Sequence, residues 1–119
     1  MEIKKFYEEI GGNYEEALSR LMNDALIERF VLKFKETQKL DGLKAAIEAH
    51  DYEKAFFEAH TLKGVSLNLA FKELGAAAIT LTELMRGDLA KTANPKEVNA
   101  AYKKVEALYL DVISKINWS

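Results

Sequence analysis

An all-α domain is the fold class this sequence predicts: an up-and-down antiparallel four-helix bundle with additional short N-terminal helices. Three observations predict it. Apolar residues recur at three- and four-residue intervals through most of the 119 positions, which is the spacing of one helix face. No stretch alternates apolar and polar residues long enough for a strand, and no hairpin dipeptide separates two apolar runs. The one proline and six glycines fall near segment ends or between segments more often than within them. The connections are therefore short, and short connections make consecutive helices antiparallel neighbours.

The elements follow in order. Residues 1–12 are expected to form a short helix or arm packed across one end. Asn13, with Glu16 three residues later, reads as a capping box for a helix over 14–22. Asp24 can cap a second helix to about residue 37, with Leu26, Ile27, Phe30, Val31 and Phe34 at helical spacing. Asp41-Gly42 interrupts the pattern, which resumes over 43–49. Asp51 can cap a helix that runs to about Leu69, and a tight turn near Ala70 leads into another over 71–86. That helix carries Leu74, Ala78, Leu81 and Leu84 or Met85 on one face, and Gly87 stops it. The clearest start comes last, with Asn94 as cap, Pro95 at the first helical position and Glu97 in the first turn. From there Val98, Ala101, Tyr102, Val105, Leu108, Tyr109, Val112 and Ile116 keep the period. The chain reads as one domain over 1–119, with an arm and short helix in 1–23 and the bundle in 24–117.

Composition narrows the function classes. Hydrophobic residues make up 49% and charged residues 30%, which is ordinary for a water-soluble globular domain. The net charge of −2 lacks the basic excess of a general nucleic-acid binder, so no nucleic-acid partner is expected. There is no cysteine, which excludes disulfide and thiolate chemistry. No apolar run approaches the ~18 residues of a membrane span, and the N-terminus has no signal-peptide core, so a cytoplasmic protein without membrane association is the expectation.

One hexapeptide carries the chemistry: Ala59-His60-Thr61-Leu62-Lys63-Gly64. At about 100° per residue, His60, Lys63, Gly64 and Leu67 fall within a stripe of roughly 100°. Ala55, Ala59, Leu62, Ser66 and Leu69 take the opposite side and are small or apolar, which suits a core. The imidazole is therefore predicted to face water, with a cation beside it and a gap where a side chain would normally stand. That combination suits a nucleophile that a second protein must reach. The plainer readings are a core histidine for His60, a solvated surface charge for Lys63 and a helix–helix contact point for Gly64. His50, at a predicted helix end, reads as a capping or surface residue. A di-iron bundle needs inward Glu-x-x-His pairs, but Ile47 and Phe57 stand three before the two histidines, so no metal site is expected.

Laid out this way, the chain resembles a histidine-containing phosphotransfer (HPt) domain, the intermediate carrier of phosphorelays. The likeness rests on His60-Thr61-Leu62-Lys63-Gly64, followed by Ser66, Asn68 and Leu69, within the second long helix of an all-helical domain. It extends over about residues 12–117. The resemblance implies that His60 accepts the phosphoryl group, on its Nε2 atom, that Lys63 steadies the phosphate, and that Gly64 leaves room for the partner. It implies receiver domains of response regulators and a hybrid histidine kinase as partners. The family often has glycine where Ala70 stands, so the turn there is expected to be built differently.

The chemistry suits these residue types. A neutral imidazole offers the lone pair that attacks an aspartyl phosphate, and a lysine lowers the electrostatic cost of holding the incoming anion. The chain shows no Walker-type loop, no glycine-rich nucleotide lid and no paired acidic residues at a recognisable magnesium site. It is therefore expected to be a phosphocarrier rather than an enzyme, with no cofactor of its own and the magnesium ion on the partner receiver. Leu67, in line with His60, and Phe57 and Phe71, near the edges of the stripe, are the expected docking residues. Phe57 could instead fold onto the N-terminal helix, and Phe71 could pack at the turn. A monomer is expected. The competing reading is a non-phosphorylated helical adaptor that binds receiver domains; the intact His60–Lys63–Gly64 set argues against it, since a pure binding module needs no exposed imidazole.

Overall fold

The computed structural model describes residues 2–116. They form the helices α1 (Ile3–Glu9), α2 (Tyr14–Leu21), α3 (Asp24–Thr37), α4 (Asp41–Glu48), α5 (Tyr52–Asn68), α6 (Lys72–Leu84), α7 (Leu89–Thr92) and α8 (Pro95–Lys115). Among the described residues there is no strand, so the fold is all-α. No helix among them is long and apolar enough to cross a membrane. The expected end of the bundle at residue 117 lies outside the described residues.

Side chains cap half of the helix starts among the described residues, those of α2, α3, α5 and α8. Asn94 accepts from the Lys96 and Glu97 amides at 2.9 and 3.3 Å, with Pro95 in the first turn, where its missing N–H is no loss. Asp51 accepts from the Lys54 amide at 3.2 Å and opens α5. Asn23, not Asp24, caps α3, accepting from the Leu26 amide at 2.9 Å; Asp24 is the first helical residue, where its charge favours the helix N-terminus. The capping box at α2 is half formed. Asn13 accepts from the Glu16 amide at 3.0 Å, but the Glu16 carboxylate turns away to Arg20 and Lys72, at 2.6 and 3.0 Å. Asp41 and Gly42 belong to α4 rather than to a break before it.

α5 and α6 run antiparallel. Leu67 packs over Gly75 at one end, where an added Cβ would meet Leu67 Cδ2 at 2.7 Å, and Phe56 lies under Arg86 at the other. α8 returns along α6: Glu73 and Ala76 share one hollow with Lys104 and Leu108, and Glu83 and Leu84 share another with Asn94 and Glu97. α4 packs on α5, and α3 reaches α8 through the Phe34–Tyr109 ring contact and a Lys35 bond to the Ile116 carbonyl. The result is an elongated body of 43 × 24 × 20 Å. The predicted inner face of α5 is fully realised: Ala55, Ala59, Leu62, Ser66 and Leu69 are all buried.

The turn after α5 corrects an expectation. Ala70 itself takes the left-handed conformation, at φ +58°, so the chain turns there without glycine. An L-residue in that region costs about 1–2 kcal/mol, and the N-terminal arm supplies the compensating bonds. The Tyr7 hydroxyl donates to the Leu69 carbonyl at 2.7 Å, the Asn13 amide to the Ala70 carbonyl at 2.9 Å, and the Glu73 amide to the Gly11 carbonyl at 3.3 Å. Burial pushes the Tyr7 hydroxyl well above the usual phenol range, so it stays a donor. Tyr7→Phe leaves the Leu69 carbonyl without that partner and is expected to destabilise the fold by about 1–2 kcal/mol. Urea unfolding measures the difference; a midpoint equal to wild type would show that the arm does not hold the turn.

Candidate functional site

α5 presents the site because its opposite face is committed to the core. His60 is exposed, as are Phe57, Thr61, Gly64 and Leu67. Among the described residues the His60 ring makes no hydrogen bond. Its one ring contact is a stack on Phe56, with centroids 5.7 Å apart and planes 20° from parallel. A core histidine is therefore not what the fold contains.

Gly64 lies one turn further on, and a Cβ built there would meet nothing within 4 Å. No neighbouring helix requires a glycine at this position, so it is not a helix–helix contact point. That role falls to Gly75, beneath Leu67. Lys63 is half-buried and makes no ion pair among the described residues. It stands close enough to α6 for its charge to act on Glu83. The Glu83 carboxyl is held below the usual carboxylate range, first by hydrogen bonds from Arg86, against a desolvation effect that raises it, then by the charges of Arg86 and Lys63.

Beside His60, between α3 and α5, an open groove of about 770 Å³ is lined by Phe30, Lys33 and Thr37 on one wall and His60, Gly64 and Leu67 on the other, with Arg20 of α2 at its end. Phe30 is 44% exposed and Leu67 38%, while Phe57 stands apart from the groove lining at 69%. Arg20 is engaged, donating to the Leu67 carbonyl and pairing with Glu16. Lys33 makes no ion pair among the described residues and leaves the groove a basic edge.

One expected docking residue is not at the surface. Phe71 is 1% exposed and packs its ring against Phe6, Tyr7 and Phe34, with centroids 6.1, 5.7 and 5.2 Å away. The physical reason lies in Ala70. A wheel drawn along α5 keeps its phase only while the backbone stays helical, and the left-handed residue swings Phe71 under the turn. Phe57 does not fold onto the N-terminal helix.

Several site residues escaped the sequence reading. Phe56 had a local signal, since it stands one turn before His60. Phe30 and Lys33 were read only as part of a helix with an apolar face, and Glu83 of α6 and Arg86 of the bend just after it carry no local signal for their place beside α5. His50, exposed between α4 and α5 at φ +56°, stacks on Tyr52 and takes no part in the site. No group of three or more His, Cys, Asp or Glu side chains that could hold a metal ion occurs among the described residues.

Compared with known protein families, residues 26–112 match the Hpt domain. That span contains α5 and the whole groove wall from α3. Neither a curated protein nor a solved structure matches the chain.

Proposed function

The chain belongs to the Hpt domain family, whose members carry phosphoryl groups in two-component and phosphorelay signalling, and from that premise we propose that His60 is the phosphoacceptor. A receiver domain's aspartyl phosphate would be the donor and a second receiver aspartate the recipient. The observation that carries this is an outward imidazole that makes no hydrogen bond among the described residues, with open space over Gly64 beside it.

The step balances without a cofactor on this chain. The lone pair of the neutral imidazole attacks phosphorus, the new P–N bond forms as the P–O bond to the aspartyl carboxylate breaks, and the carboxylate leaves with the bonding pair. The proton on the second ring nitrogen stays through the step and can then pass to water. Lys63 stands one turn along and offers a mobile positive charge to the transferred group. The magnesium ion would sit in the receiver's acidic pocket. An acidic receiver face also suits the groove, whose walls carry the apolar Phe30 and Leu67 together with Lys33. Such contacts are transient and small, and the working species is a monomer, sited in the cytoplasm.

Incubation with a phosphorylated receiver tests the reading. A label on this chain that survives alkali and is lost in acid supports it; no label leaves a binding module, and an alkali-labile label points to a different acceptor. Gly64→Gln separates clearance from folding. A Cβ at this position meets nothing within 4 Å, so helix stability should rise by about 0.5–1 kcal/mol as a mid-helix glycine is removed. Transfer should nevertheless slow by about tenfold or more, because a receiver held off by ~1 Å loses attacking geometry. Equal transfer rates would remove the clearance role.

A further inference from the structure

Phe56 is half-buried and packs against the core, and the His60 ring stacks on it with centroids 5.7 Å apart. His60 reaches that ring because a helical side chain leans toward the N-terminus and covers the turn before its own Cα. The phenyl ring is itself constrained from outside. The Arg86 guanidinium sits 5.3 Å from its centroid. Glu83 grips that guanidinium through three contacts of 2.9 to 3.1 Å, and because its carboxyl is held below the usual range the clamp persists at neutral pH. The Phe57 ring meets Phe56 edge-on at 5.7 Å.

Nucleophilic histidines are commonly oriented by a hydrogen bond at the second ring nitrogen. His60 has no such bond among the described residues, so the stack is the only ring contact left to select the plane of the imidazole. We propose that Phe56 is a positioning residue for His60: its clamped ring holds the imidazole plane in one orientation before a receiver arrives. This rests on the reading of His60 as phosphoacceptor. Without the ring, the imidazole samples its other staggered wells and spends less time in the attacking orientation.

The test compares wild type with Phe56→Leu, Phe56→Met and Phe56→Tyr in single-turnover transfer from a receiver domain charged with acetyl phosphate, over a range of receiver concentrations. Circular dichroism verifies that each variant is folded, and two ringless variants guard against one that is not. The ringless variants should lower the limiting rate roughly three- to tenfold with the half-saturating receiver concentration unchanged, and Phe56→Tyr should restore wild-type rates. In the NMR spectrum of the unphosphorylated protein, the His60 ring protons, shielded by the Phe56 face, should move downfield in the ringless variants and stay in place with tyrosine. A limiting rate equal to wild type, or a change confined to the half-saturating concentration, overturns the proposal. If wild type takes no label, the phosphoacceptor reading falls instead, and the ring-proton shift still reports whether the stack exists.

Discussion

His60→Gln is expected to reduce phosphoryl uptake from a receiver by more than about a thousandfold, to background, since the imidazole proposed as phosphoacceptor is gone. The glutamine amide nitrogen shares its lone pair with the carbonyl and cannot attack phosphorus, yet the side chain is close to histidine in length and polarity. The fold should not notice. His60 is exposed and makes no hydrogen bond among the described residues, so unfolding free energy should stay within about 0.5 kcal/mol of wild type. Receiver binding should also survive, because Phe30, Lys33 and Leu67 line the groove independently of the imidazole. The measurement pairs labelling with a titration of unphosphorylated receiver. Label on the glutamine variant at wild-type rate would move the acceptor elsewhere, and unchanged binding with lost labelling separates carrying from mere docking.

The residues around that imidazole show which kinds of information a sequence holds. Much of what depends on a few consecutive residues was legible: the Asn94 and Asp51 caps, the helical period, and the division of α5 into an inner face of Ala55, Ala59, Leu62, Ser66 and Leu69 and an outer face with His60; the exceptions are the α3 cap, which is Asn23 and not Asp24, and Asp41-Gly42, which open α4 instead of interrupting it. Both faces follow from one angle per residue. The surroundings of His60 were legible only along its own helix. Arg86 and Glu83 reach the site because α6 runs antiparallel to α5, with Leu67 seated on Gly75 and Arg86 over Phe56. That register is set by side-chain packing between helices and leaves no mark at residues 83 and 86 themselves. Phe30 and Lys33 line the groove for the same reason, through the placement of α3 rather than through any spacing. Electrostatics followed suit: Lys63 was read beside His60, and its field also falls on Glu83, a carboxylate of another helix.

Phe71→Ala is the complementary case, a large expected loss of stability at a residue that a helical wheel places at the surface. The ring touches Phe6 and Tyr7 of α1 and Phe34 of α3, and Phe34 in turn meets Tyr109 of α8. Phe71 is thus where the arm, the turn after α5 and the helices on either side converge. Truncation removes a fully buried aromatic from a well-packed centre, which costs about 3–5 kcal/mol. Against a total of roughly 5–15 kcal/mol for a domain of this kind, that is a substantial fraction and corresponds to a fall in melting temperature of roughly 10–20 °C. The damage should extend to the turn: with the ring gone, Tyr7 loses a packing partner, and the bond it donates to the Leu69 carbonyl loses the surface that holds its ring in place. Ala70, held at positive φ by those contacts, should relax, and amide exchange at residues 69–73 should quicken more than at α8. Urea unfolding with amide exchange on the same samples measures both. A loss under about 1 kcal/mol would mean that Phe71 can reach solvent at little cost, and the docking role the wheel suggested would be open again. A loss of the expected size with phosphotransfer intact at low temperature would instead separate the hub that holds the turn from the imidazole face that α5 presents.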